Sequence, residues 1–308
     1  MKFHETVNYI IIAEDLFKKF GSIIALNKFN AVFPRGICGL IGPNGSGKTT
    51  FINILAGLVK PDSGKVEVLG LDSTENSLLI REKVGFLLEE MYYPSNLTVE
   101  KYLKYVARLK RTSFKEIKEI SREIGLLEYF DRKIKTLSAG MYKMLGLTQA
   151  LAGNPELVVL DEPVSNLDPL RRIRLLDFIV KISKEKDTSF LISSHVLPEL
   201  EEICEWIVLI HKGKRIDSGT LSDLYLKYST EFYEVMADNV HVLYDYIREH
   251  NLGEVVEVTK SKVKVRIKNY SEFNKMLASI SDKVKIFYIR PVGGLKEVFK
   301  NAVEKSKY

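Results

Sequence analysis

Long apolar runs are missing from this 308-residue chain. The longest stretches, such as Trp206 to Ile210, fall far short of the roughly 20 residues that span a bilayer. The opening MKFHETVNY carries no apolar signal-peptide core, so the expectation is a protein that reaches a membrane only through a partner. Cysteine is scarce. Cys38 and Cys204 lie far apart in strand-like surroundings, which indicates core packing and no disulfide framework. Gln149 is the single glutamine, and there are no internal repeats or low-complexity tracts. The excess of 46 Lys and Arg over 40 Asp and Glu, a net charge of +6, raises nucleic acid or anionic lipid as partners. Those cations are spread along the chain and interleaved with acids, however. That pattern describes a solvated surface, and no nucleic-acid partner is expected.

The length allows one large or two ordinary domains. YIIIAEDLFKKF and IIALNKFNAVF, parted by a reversal at Gly21, read as short strands over residues 9–35. ICGLI is a short apolar strand ended by a glycine-rich loop and the helix TTFINILAGL, and KVEVLG follows as an alternating strand. Residues 96–152 read as a helical subdomain. Thr98 caps its first helix, Ser113 and Glu116 form a capping box, and a third helix opens near Ser138 and stops at Gly153 before Pro155. Strands LVVLD and SFLISS then alternate with helices, the α/β pattern of a largely parallel sheet. Beyond about residue 230 the order is βαββαβ with a closing helix, which suggests a ferredoxin-like α+β domain. The expected organisation is residues 1–225 as one α/β domain and 230–308 as an accessory domain. Fold alone assigns neither a task.

GPNGSGKTT, comprising Gly42, Pro43, Asn44, Gly45, Ser46, Gly47, Lys48, Thr49 and Thr50, matches the P-loop pattern in its required setting, after a strand and before a helix. The glycines let backbone N–H groups turn inward around a β-phosphate, and the helix N-terminus adds a favourable dipole. Lys48 supplies a cation for the β- and γ-phosphates, and the Thr49 hydroxyl is a hard oxygen ligand for Mg²⁺. A P-loop alone serves kinases, GTPases and helicases equally. LVVLDEP ends an apolar strand in Asp161 and Glu162: the first can hold Mg²⁺ through water, and the second can polarise an attacking water. A buried strand entering a polar turn has the same look. The Leu137-Ser138-Ala139-Gly140-Met141 segment and His195 are also ambiguous one at a time.

Their order decides. GPNGSGKTT, LSAGM, LVVLDEP, SNLDP and ISSH succeed one another as in ABC transporter ATPases, which the chain resembles over residues 9–220. It is also similar to the drug- and sodium-efflux branch, where the signature commonly reads LSxGM and a small C-terminal domain follows. The resemblance implies a P-loop NTPase core with an antiparallel β flank and a helical subdomain, hydrolysing ATP with Mg²⁺. It implies that Phe20 stacks on adenine and Glu162 is the general base. It places His195 as the switch histidine at the γ-phosphate and Asp168 as a link across a dimer. Ser138 and Gly140 would face the γ-phosphate bound on a second subunit, identical or related. Glu89 stands where the family has a Mg²⁺-linked glutamine, with Glu90 as the alternative. Residues 89–96 would contact a transmembrane permease, placing the protein in the cytoplasm on the inner face of the cell membrane and giving it the task of powering an exporter. The alternative is a soluble ABC-type ATPase of repair or translation. No heptad stretch and only one ATPase unit speak against it, and Glu162 with His195 speaks against a non-hydrolysing sensor.

Overall fold

The computed structural model describes residues 9–306 apart from 166, 196, 229–231, 268–272, 274, 276–277, 279 and 281–282. The chain divides into two compact units, Met1–Leu221 and Ser222–Tyr308. In the first, β1 (Tyr9–Phe20), β2 (Ile23–Pro34) and β3 (Ile37–Ile41) precede α1 (Lys48–Leu55). There follow β4 (Ser63–Val68), β5 (Leu71–Asp72), α2 (Ser77–Lys83) and β6 (Val84–Leu87). The helical segment comprises α3 (Val99–Leu109), α4 (Phe114–Glu123) and α5 (Ala139–Leu151). Then come β7 (Leu157–Asp161), α6 (Pro169–Lys186), β8 (Ser189–Ser194), α7 (Leu197–Glu201), β9 (Trp206–His211) and β10 (Lys214–Thr220).

The central sheet has the order β10-β9-β3-β8-β7-β6, parallel except for β10 on β9. Every residue of β3, β7 and β8 is buried, as strands covered on both faces must be. Burying each large aliphatic side chain there contributes about 1.5–3 kcal/mol. A second, antiparallel sheet, β2-β1-β4-β5, flanks this core. Its first two strands run 12 residues each, longer than the short strands expected. The register shifts along the β1–β2 pair, and Asp15 and Lys28 take left-handed φ values of 46° and 48°, so bulges absorb the breaks in alternation without ending either strand.

Three tertiary features fix the orientation of the site. Phe51 of α1 meets Phe29 and Phe33 of β2 at centroid distances of 5.0 and 5.8 Å, which seats the first helix on the flank. The helical segment has its own core, including Val99, Leu103, Ile117, Leu126 and Leu145. Thr98, Ser113 and Ser138 each accept a hydrogen bond from the amide three residues on, capping α3, α4 and α5. Gly85 of β6 brings α5 onto the sheet backbone to backbone, since a Cβ there would lie 1.8 Å from the Ala150 carbonyl oxygen.

The second unit holds α8 (Leu221–Tyr228, whose first residue closes unit one), β11 (Phe232–Ala237), α9 (Val240–Glu249), β12 (Glu254–Val258), β13 (Lys262–Arg266), β14 (Ile286–Pro291) and α10 (Gly294–Lys305). Its sheet runs β12-β13-β11-β14 with antiparallel neighbours throughout, the ferredoxin-like arrangement. Phe273, Lys275 and Ala278 are helical; the rest of the helix expected over SEFNKMLASI lies largely outside the described residues. Among the described residues, no helix is long and apolar enough to cross a membrane.

Candidate functional site

The parallel strands β3, β7 and β8 end at one edge of the sheet. Ile41 pairs with Ser194, and Asp161 with Ser193, so the segments leaving these strands emerge side by side. Open α/β sheets bind ligands at this edge. The loop after β3 turns tightly: Gly45 and Gly47 have φ of 74° and 108°, and a Cβ on Gly47 would sit 2.5 Å from the Ala25 carbonyl oxygen. Gly47 then caps α1, so the loop amides and the helix N-terminus converge, as an anion site requires.

Lys48 is buried and donates to the carbonyl oxygens of Gly42 and Pro43 at 2.8 and 3.3 Å. Its Nζ also lies 3.6 Å from Glu162 Oε1. The other oxygen of Glu162, Oε2, is 2.8 Å from Nδ1 of His195. With an ionised carboxylate, Nδ1 must carry the proton and donate. One buried carboxylate is thus held between a lysine and a histidine. Glu162 itself is in the left-handed region at φ 51°, a conformation that costs a non-glycine residue about 1–2 kcal/mol. Its amide is anchored on β8, donating to Ser193 O at 3.3 Å and Ser193 Oγ at 3.1 Å.

Asp161 accepts a hydrogen bond from Ser193 Oγ, whereas its Oδ2 is buried with no hydrogen-bond partner. Burial pushes its carboxyl pKa up against the pull of the Ser193 hydroxyl, and the Glu89 and Glu162 carboxylates add to the rise. Thr49 Oγ1 donates to Glu89 Oε2 at 3.2 Å. Among the described residues, no cluster of three or more His, Cys, Asp or Glu could hold a metal alone. The oxygen set of Thr49, Asp161 and Glu89, with its orphaned carboxylate oxygen, nonetheless fits a hard cation that takes its remaining ligands from phosphates and water. Glu90 instead accepts from the Tyr92 hydroxyl at 3.5 Å.

A cleft of about 480 Å³ opens over this edge, lined by Phe20, Ile23, Ile24, Asn44, Gly45, Lys48, Thr49, Thr50, Glu89 and Glu162 among others. Phe20, Ile23 and Ile24 are 49%, 69% and 51% exposed, an apolar wall of the kind a planar base covers. Sequence reasoning found Phe20 and missed the two isoleucines. Their signal was their position directly after the Gly21 turn, but two adjacent apolar residues on a strand point to no single face. It also missed Ser193, and Lys143 on α5, which donates to the Glu162 carbonyl oxygen and to Ser165 Oγ.

Ser138, Gly140 and Asp168 are absent from the lining of the cleft. Ser138 caps α5, accepting from the Met141 amide at 3.3 Å, and Asp168 caps α6, accepting from the Arg171 amide at 3.0 Å.

The comparisons with known proteins agree with this geometry. Residues 27–165 match the ABC transporter family. The bacitracin transport ATP-binding protein BcrA of Enterococcus faecalis is 36% identical over 221 residues, covering 71% of this chain and 72% of that one. BcrA of Bacillus licheniformis is 35% identical over 213 residues, covering 68% and 69%. A solved ATP-binding subunit of an ABC transporter superposes with a TM-score of 0.64 at 27% identity, covering 71% of this chain and 92% of that one.

Proposed function

Because the chain belongs to the ABC transporter family, as an ATP-binding and ATP-hydrolysing subunit that serves a separate permease, we propose that the cleft at the sheet edge is its hydrolytic site and that it drives export. The observation that carries this reading is the placement of Lys48, Glu162 and His195 on one another beside the P-loop. Adenine lies on Phe20, and the amides of the loop from Gly42 to Gly47 enclose the β-phosphate. Lys48 turns from the carbonyl oxygens of Gly42 and Pro43 to the β- and γ-phosphates. Thr49, Asp161 and Glu89 would hold Mg²⁺, which would supply positive charge against the charge developing on the phosphoryl oxygens.

Glu162 accepts a proton from water as the water oxygen bonds to the γ-phosphorus and the bond to the ADP oxygen breaks. His195 keeps the Glu162 carboxylate aimed at that water through Nδ1. Catalysis then rests on positioning and electrostatic stabilisation, with no covalent intermediate.

Ser138 and Gly140, on a capped helix away from the chain's own cleft, serve the γ-phosphate bound by a second subunit. Asp168 lies at the same junction. That geometry calls for a two-fold pair, either with itself or with a related subunit. Residues 89–96 join the cleft to the helical segment and receive the permease at the inner face of the membrane. The export direction follows the resemblance of the LSAGM signature and the small C-terminal domain to the drug- and sodium-efflux branch.

The test is made in cells carrying the chain and its permease. Lys48→Ala should abolish export-dependent resistance, with bacitracin the first compound assayed, while the variant still co-purifies with the membrane fraction. Retained co-purification together with unchanged resistance to every compound of a panel would remove the exporter role.

A further inference from the structure

The carbonyl oxygen of Glu162 is crowded with donors. It accepts from the Ser165 amide at 3.3 Å, from the Ser165 hydroxyl at 3.0 Å and from the Lys143 ammonium. Lys143 also donates to Ser165 Oγ, so one side chain ties together both ends of the Glu162–Ser165 turn. It comes from α5, the helix that Ser138 caps, and not from the sheet that carries the turn. Burial pulls the Lys143 ammonium pKa down, and the neighbouring Glu162, Glu89 and Asp161 carboxylates oppose that pull.

The backbone of Glu162 is therefore clamped from two sides. The sheet holds its amide through Ser193, and the helical segment holds its carbonyl through Lys143. A residue kept at φ 51° needs surrounding contacts to stay there. If the carbonyl clamp is released, the peptide can rotate toward an unstrained conformation. The carboxylate, three bonds from Cα, then swings away from its line to the water. The P-loop keeps its own contacts through Gly47 and through the bonds from Lys48 to the carbonyl oxygens of Gly42 and Pro43, and it loses only the 3.6 Å pair of Lys48 with the displaced carboxylate.

We propose that Lys143 is a positioning residue for hydrolysis, holding the Glu162 turn in its active shape from the helix that carries Ser138. Movement of α5 thereby sets whether Glu162 is correctly presented. This rests on the reading of Glu162 as the base. It differs from that reading in naming what aligns the base and in placing control of alignment on the helical segment.

Lys143→Met keeps the aliphatic stem and removes the donor. Lys143→Arg keeps the donor, and the adjoining cavity of about 110 Å³, which Lys143 itself lines with Met144 and Leu147, gives the larger head room. Steady-state hydrolysis and equilibrium binding of a non-hydrolysable ATP analogue are measured for both variants, for Glu162→Gln and for the Lys143→Met/Glu162→Gln double variant. Lys143→Met should lower kcat about 10- to 100-fold, the cost of a misplaced group, with analogue affinity at or above that of wild type, since a displaced carboxylate also frees Lys48. Lys143→Arg should recover most of that loss, and Lys143→Met should subtract nothing further from Glu162→Gln.

Wild-type kcat in Lys143→Met overturns the proposal, as does equal loss of analogue binding and turnover. A full additional loss in the double variant overturns it too, because Lys143 would then act on something other than Glu162. Undiminished turnover of Glu162→Gln is a separate outcome, which removes the underlying reading of the base.

Discussion

Glu162→Gln should bind ATP more tightly than the wild type while hydrolysing it far more slowly. Glu162 Oε1 is 3.6 Å from Lys48 Nζ, and both side chains are less than one-tenth exposed. At an effective dielectric of about 20, unit charges at that distance attract by about 4–5 kcal/mol. ATP must draw Lys48 out of this pair, so the attraction opposes binding. The carboxamide removes it, yet leaves the lysine satisfied by the carbonyl oxygens of Gly42 and Pro43. Polar partners of the carboxylate and the cost of holding it buried cancel most of the Coulomb gain. If about a third survives, roughly 1.4 kcal/mol, affinity rises about tenfold. The variant also removes the repulsion between Glu162 and the γ-phosphate. Loss of a general base lowers turnover by about 10²–10⁴-fold. Isothermal titration with a non-hydrolysable analogue reads affinity for both proteins without turnover, and phosphate release reads the rate. Unchanged or weaker affinity would refute the competition for Lys48. Light scattering with ATP and Mg²⁺ should show the variant near twice the monomer mass. A monomer with ATP bound would point to a heterodimeric pair.

Lys48→Ala should abolish phosphate release and weaken analogue binding about 10- to 100-fold, the worth of a charge-assisted hydrogen bond, by titration. Glu89→Gln keeps an acceptor for the Thr49 hydroxyl and should leave analogue binding intact, whereas Glu89→Ala should raise the Mg²⁺ concentration for half-maximal turnover; an unchanged Mg²⁺ titration would take Glu89 out of the metal site. A chain ending at Thr220 should still bind the analogue, because every residue lining the cleft lies at or before Glu162. Burial pushes the Cys38 thiol to about 12, and the Cys204 thiol is also raised by burial, so a thiol reagent at pH 8 should label both only on unfolding. The sign follows from linkage. The Cys38 contribution to stability is complete below its ordinary pKa of 9.0 and fades as pH rises towards about 12, which denaturant midpoints between pH 8 and 11 would show.

The parts of the fold that the sequence disclosed are those where one local signal suffices. The P-loop fixes a strand, a turn and a helix at once because its glycines need positive φ, as Gly45 and Gly47 have. The caps at Thr98, Ser113 and Ser138 are local chemistry and were equally readable. The 12-residue flank strands were less so, since bulges interrupt the alternation that identifies a strand. In the site, Lys48, Thr49, Asp161, Glu162 and His195 could be named from motif order, but their mutual distances could not. Lys143 had no signal at all. A lysine one turn into a helix looks solvated until tertiary structure lays that helix against the Glu162 turn. The left-handed φ of Glu162 was hidden for the same reason, as glutamate has no intrinsic preference for it.

The near-contact of Gly85 with Ala150 makes the far end of α5 a fulcrum. With no side chain between the two backbones, that end can pivot but has little freedom to slide. The helix is 13 residues long, a rigid arm of about 20 Å. A tilt of about 10° about that end carries Ser138 through about 3 Å, the span between touching and missing a phosphate oxygen. Lys143, roughly halfway along the arm, travels about 2 Å in the same stroke, enough to part a hydrogen bond. In the proposed pair, one small rotation would withdraw the tip from the neighbouring subunit's nucleotide and unclamp the chain's own Glu162, gearing the two half-sites together by the length of a single helix.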